Sequence, residues 1–159
     1  MNDKLKIRLL GLAAAVFAAA AAILAYKFII AGSTEESPDG RTAILLEPAE
    51  RALVLAEMRG FVEAVRDITG ALAKDDAAGV AAAAARVGMH STHEVPATIL
   101  GKLPLEFKTL GFSVHDAFDR LGMDAKDLRD PKHSLGQLSA ILARCAGCHA
   151  SYQLKAAAQ

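Results

Sequence analysis

The sequence predicts an all-α protein in which an antiparallel four-helix bundle follows one N-terminal transmembrane helix. Three observations support this fold class. Apolar residues recur at intervals of three and four through most of the chain beyond residue 48. The composition is 53% hydrophobic but only 5% aromatic, with no Trp, which favours helices over β-sandwiches and barrels. Finally, the chain begins with an apolar run long enough to cross a bilayer.

Length and charge restrict the function further. Once the apolar run is set aside, the 159 residues suffice for one compact domain of common size. Eighteen basic residues balance eighteen acidic ones, so the chain lacks the cationic excess of a protein that tracks phosphates. We therefore expect no nucleic-acid partner.

The N-terminal run predicts a membrane anchor over residues 1–31. Leu9–Ile30 is apolar except for Lys27, and at about 1.5 Å per residue it would span roughly 33 Å. Basic residues precede the run and acidic residues follow it, so the positive-inside rule places the N-terminus in the cytoplasm. The predicted protein is single-pass in the inner (cytoplasmic) membrane, with a periplasmic domain. The alternative is a signal peptide cleaved near Ala18–Ala22, which offers small residues.

Residues 32–47 are predicted to be a linker, and residues 48–159 the bundle. The stretch from Gly32 to Thr42 is polar and contains Ser, Pro and Gly, as tethers do. Pro48 suits the first turn of a helix that ends near Lys74. The apolar stripe of this helix is Val54, Met58, Phe61, Val62, Val65, Ile68 and Leu72.

Three further helices complete the predicted bundle. The second is alanine-rich, runs from Ala77 to about Gly88 and is capped by Asp75 or Asp76. An irregular connection over 89–102 leads to a third helix opened by Pro104. Asp130 and Pro131 predict the start of the fourth. The stripe of the fourth helix is Leu135, Leu138, Ile141, Leu142, Cys145 and Tyr152.

Near the C-terminus, Cys145-Ala-Gly-Cys148-His149 is the C-x-x-C-H pattern of covalent c-type haem attachment. On a helix, these three side chains project from one side, because residues three and four apart share a face. Cys145 and Cys148 would form two thioethers to one haem c, and His149 would be the proximal ligand of its iron. The competing interpretations are a redox-active dithiol, a structural zinc site, which needs a fourth ligand, and a chance occurrence of the motif.

The chain resembles the cytochrome c′ / cytochrome c556 family over roughly residues 48 to 155. The resemblance rests on CAGCH followed by Tyr152, on the alanine-rich helix opened by Asp75-Asp76, and on the amphipathic helix before it. It implies a haem within a four-helix bundle. In that family a basic residue commonly follows the tyrosine, whereas this chain has Gln153 there and Lys155 two places on.

The same resemblance implies that the first bundle helix lies over the distal face of the haem. Met58 is the candidate distal ligand of the iron, and a His/Met pair suits outer-sphere electron transfer. The alternatives are that Met58 only fills the core, and that Leu55 faces a five-coordinate iron. His90, His93 and His115 are weaker candidates, as are Arg51, Arg59 and Arg144 as partners of the haem propionates.

We therefore expect an electron carrier and no enzyme, since no acid–base pair is identifiable beside the distal residue. Its partners would be the membrane and a quinol-oxidising complex, a dehydrogenase or a reductase. The alternatives are a five-coordinate protein that binds nitric oxide or carbon monoxide, as the c′ resemblance implies, and a fixed subunit of a larger complex. The small residues of the second helix would also permit a homodimer.

Overall fold

The computed structural model describes residues 3–157, although the side chains of residues 93 and 94 lie outside that description. Helices make up 76% of this part, so the all-α class is confirmed. The six α-helices described in it are α1 (Asp3–Ala25), α2 (Pro48–Leu72), α3 (Ala77–Ala85), α4 (Ala97–Leu100), α5 (Leu105–Leu128) and α6 (Pro131–Ser151). A 3-10 turn, Met89–Glu94, lies in the predicted irregular connection.

The N-terminal helix is long and apolar enough to cross a membrane. α1 continues as a π-helical segment, Tyr26–Ala31, so that Asp3–Ala31 forms one helix of 29 residues. The mean hydropathy of its most apolar stretch is 2.3, and none of that stretch is buried in the protein.

A small sheet lies beside the helices and corrects two predictions. It joins β1 (Thr34–Glu36) to β2 (Thr42–Leu46) in an antiparallel hairpin, and β2 to β3 (Tyr152–Ala156) in parallel. The predicted 32–47 linker therefore contains two strands. The second strand packs into the protein, since Ile44 and Leu46 are fully buried. Likewise, the last helix ends at Ser151, and Tyr152 belongs to β3 and not to the helical stripe.

The main core lies between α2, α3, α5 and α6. Its largest side chains include Phe61 and Phe118, which stack with ring centroids 5.6 Å apart. The alanines of α3 let this helix approach α5 closely: a side chain at Gly122 would meet the Ala81 carbonyl oxygen and the Ala84 Cβ at 3.4 Å. The alanine-rich stretch thus serves as a thin packing surface.

A second core joins β2 to the start of α2, to α4 and to the start of α5. Met58 packs against both cores, and so lies between them.

Side-chain caps set the starts of α3 and α6 as predicted. The Asp76 carboxylate accepts a hydrogen bond of 2.8 Å from the Gly79 N–H. The Asp130 carboxylate accepts from the Lys132 and His133 N–H groups at 2.9 and 3.2 Å. These bonds pair amides that the first turn of a helix leaves without partners.

Candidate functional site

The C-x-x-C-H motif lies in the last two turns of α6, as the sequence predicts. Its helix is held by Leu138 and Ile141, which are buried in the main core. Cys145, Cys148 and His149 all line the same cavity. The two thiols are half-buried and are not joined in a disulfide. The helix therefore presents both thiols and the imidazole to one space.

This cavity has a volume of about 400 Å³, is partly open to solvent, and is bordered by α2, α4, α5, α6 and the segment between α3 and α4. Such a volume lies within the range of roughly 300–1,000 Å³ that is usual for sites of small ligands and cofactors. Apolar side chains form most of its wall, including Val54, Phe61, Ile99, Leu103, Phe107 and Val114. The cavity is thus suited to a large apolar group with few polar edges.

Met58 lines the cavity from α2, whereas Leu55 is not among the lining residues. The sequence placed both on nearly the same helical face. The packing separates them, because Met58 lies where the two cores meet. The thioether of Met58 and the imidazole of His149 thus border one cavity, although 91 positions separate them in the sequence.

A buried histidine and a glutamate form a polar part of the cavity wall that the sequence did not single out as a pair. The His115 Nδ1 lies 2.8 Å from the Val87 carbonyl oxygen. Its Nε2 lies 3.3 Å from the Glu57 carboxylate, which neighbours Met58 on α2. Burial lowers the pKa of His115, but the hydrogen bonds to Glu57 and Val87 and the charge of Glu57 outweigh it and raise that pKa.

The electrostatic surroundings of the two thiols differ from those of a redox-active dithiol. Burial raises the pKa of Cys145. Burial also raises the pKa of Cys148, and the neighbouring Cys145 adds to the effect. Reactive dithiol motifs need the opposite, a lowered pKa that supplies thiolate near neutral pH. The surroundings therefore suit thiols that are structural or permanently bonded.

The arginines considered as propionate partners are engaged elsewhere or lie off the cavity. Arg51 and Arg144 donate to the carbonyl oxygens of Leu154 and Ser113, at 3.1 and 2.6 Å. Arg59 is exposed and is not among the lining residues. The basic side chains that do line the cavity, besides the histidines, are Arg86 and Lys108.

Of the remaining candidate residues, His90, Gln153 and Lys155 are not among those that line the cavity. The side chain of His93 lies outside the described residues. Gln153 and Lys155 contact the β1–β2 hairpin: the Gln153 amide lies 3.3 Å from Asp39, and the Lys155 ammonium 2.9 Å from Glu35. Both therefore support the sheet.

No family model, curated protein or solved structure matches this chain. The donor set fits a c-type haem: two thiols and an imidazole on one helix, a thioether on another, and an apolar cavity between them. A structural zinc site would call for a compact tetrahedral set of ligands, and a cavity of this size and apolar lining is unlike such a site.

Proposed function

We propose that this protein is a membrane-anchored c-type cytochrome that transfers single electrons through one covalently attached haem c. The observation that carries the proposal is the convergence of Cys145, Cys148, His149 and Met58 on one apolar cavity. A motif on one helix and a soft ligand on a distant one supply the four attachments that a His/Met haem needs.

Each residue has a distinct role in this proposal. Cys145 and Cys148 would hold the macrocycle through thioethers, and His149 would be its proximal ligand. Met58 would be the distal ligand, a pairing that raises the reduction potential. The bound haem would supply a one-electron iron couple. The apolar wall would keep water away, and its rigid packing would limit the reorganisation that accompanies electron transfer.

The fold is compatible with a bundle of the cytochrome c′ / cytochrome c556 type. α3 packs against α2 and α5, and α6 packs against α5 and α2. We infer an antiparallel arrangement of these four helices, with the cavity at the end where α6 carries its motif. The helix Asp3–Ala31 would anchor the protein in the inner membrane, with the N-terminus cytoplasmic and the haem domain periplasmic.

Anchoring would restrict the carrier to the membrane surface and raise its effective concentration near membrane partners. We infer that these partners are redox proteins: a quinol-oxidising complex, a dehydrogenase or a reductase.

Absorption spectra test the proposal. The full chain is produced in cells with an active c-type maturation pathway, purified in detergent, and assayed for covalent haem as the pyridine haemochrome. Its reduced spectrum is then recorded with and without carbon monoxide. We expect haem c, a sharp α band and no response to carbon monoxide, because Met58 would occupy the sixth position.

Two results would count against this proposal in different ways. A colourless protein would remove the haem and with it the whole assignment. A coloured protein with a broad high-spin spectrum that shifts with carbon monoxide would retain the cytochrome but replace electron transfer with gas binding at a five-coordinate iron.

A further inference from the structure

The outer end of the membrane helix is held against the domain by a lysine. The Lys108 ammonium on α5 donates to the Ile29 carbonyl oxygen at 2.9 Å. It also lies 3.5 Å from the Phe28 carbonyl oxygen and 3.3 Å from the Leu100 carbonyl oxygen. The last carbonyl groups of a helix lack partners within it, and a nearby cation both pairs with them and complements the helix dipole. Lys108 therefore binds the end of the anchor to the domain.

The chain leaves the anchor through a tightly packed turn at Gly32. Gly32 has φ +68°, and a side chain there would come within 2.6 Å of the Lys102 carbonyl oxygen and the Pro104 nitrogen. The Ser33 N–H donates to the same Lys102 oxygen at 2.7 Å. Only glycine suits this backbone and this close approach. We refer to Gly32 and Ser33, with their contacts to Lys102 and Pro104, as the joint between the anchor and the domain.

The sheet continues this joint to the haem-attachment motif. β1 begins two residues after Gly32 and pairs with β2, and β2 pairs with β3, which begins directly after α6. The Arg41 side chain on the hairpin reaches the His149 carbonyl oxygen at 3.4 Å. Hydrogen-bonded strands therefore connect the end of the anchor to the helix that carries the motif.

Residues beside the joint also form part of the cavity wall. Leu100 and Lys108 line the cavity, and both take part in the contacts with the end of the anchor just described. The Lys108 side chain thus contacts both the cavity and the end of the anchor.

We propose that the domain rests on the outer membrane surface in a fixed orientation, with α4 and the start of α5 against the lipid headgroups. This inference rests on the proposed function for its anchor and its haem. The partner of this surface is the lipid headgroup layer, because the membrane helix ends on that face of the domain. The haem would then be held beside the bilayer, where a membrane-embedded redox partner can approach it.

Energy transfer from lipid to haem tests the orientation. The full chain is placed in nanodiscs that contain a headgroup-labelled fluorescent lipid whose emission overlaps haem absorption, and quenching is measured per bound haem. A flexible Gly/Ser insertion of about 16 residues between Ala31 and Gly32 would let the domain move away by roughly 20–24 Å. We expect this insertion to cause a clear loss of quenching.

The same insertion between Lys74 and Asp75 is the matched control. This turn follows the 25-residue α2, and a helix of that length places it about 37 Å from the helix start. The control should quench like the unmodified chain. Equal quenching by both insertion variants, in protein of intact mass, would overturn the proposal.

A second measurement needs no haem. Lys108→Met removes the ammonium but keeps most of the side chain, and Lys126→Met makes the same change at an exposed position of α5. Hydrogen exchange of the Gly32 and Ser33 amides should accelerate in K108M only. Unchanged hydrogen exchange in K108M would contradict the claim that Lys108 holds the anchor against the domain, and this result can be read even in a colourless protein. A colourless protein with the expected acceleration would count only against the haem.

Discussion

The two walls of the cavity that carry the proposed haem ligands, on α6 and on α2, depend on the rest of the molecule to very different degrees. The α6 wall carries three of its functional groups within five consecutive residues, so helical geometry alone directs them to one side. The α2 wall contributes Met58, which faces the cavity only because α2 is packed against both cores. The proposed haem attachment thus depends on local sequence, whereas the proposed distal ligation depends on how the helices pack.

The largest expected effect comes from replacing both cysteines of the motif on α6. The double substitution C145S/C148S should abolish covalent haem, because neither thioether can form. The pyridine haemochrome assay and the intact mass measure this loss. Ser139→Ala, at an exposed position of the same helix, should leave the haem content unchanged. Covalent haem in the double variant would show that the motif is not the attachment site.

A change of ligation is expected at the other wall. Met58→Leu should keep the haem but open the sixth position, so that the reduced protein binds carbon monoxide. The reduced spectrum with and without the gas reveals the change. Met123→Leu is the matched control, since Met123 is exposed on α5 and is not among the lining residues. Identical spectra for M58L and the unmodified protein would mean that Met58 only fills the core.

A smaller effect should follow from loosening α6 far from its motif. Asp130→Ala removes the cap at the opposite end of this helix and should lower the free energy of unfolding by about 1 kcal/mol. Denaturant titration of the haem-loaded protein measures it, with Asp127→Ala, at an exposed position that makes no cap, as control. Haem content should not change, because the local geometry of the motif survives. A loss of haem in D130A would contradict the claim that attachment depends only on the local geometry of the motif.

The smallest effect concerns the polar part of the wall beside Met58. The folded protein raises the pKa of His115 above its ordinary 6.5, so the folded state binds its proton more tightly than the unfolded state does. This contribution to the free energy of unfolding is full below pH 6.5 and is lost as the pH rises through the raised value. Denaturation as a function of pH should show this decline.

His115→Gln, which cannot titrate, should remove the decline. Glu57→Gln should weaken it, because the charge and hydrogen bond of Glu57 raise the pKa of His115. An undiminished decline in H115Q would assign the pH dependence to another group.

Much of the helical structure could be predicted from local patterns. Pro48, Asp76 and Asp130 mark helix starts because proline and capping side chains act within one turn. The sheet was missed because its strands are short and two of them pair across more than a hundred residues. The apolar run Thr42–Leu46 between Gly40 and Pro48 was the one indication of a buried strand. Nothing local in residues 152–156 indicates that they would pair with it.

The sequence by itself determined the apolar helix, the class of the fold and the C-x-x-C-H motif, because each depends on residues within a few turns of one another. Only the tertiary structure decided that Met58, and not Leu55, borders the cavity, that His115 pairs with Glu57, and that Lys108 contacts the end of the N-terminal helix. The physical reason is that these contacts link distant segments, whose meeting depends on how whole helices and strands pack.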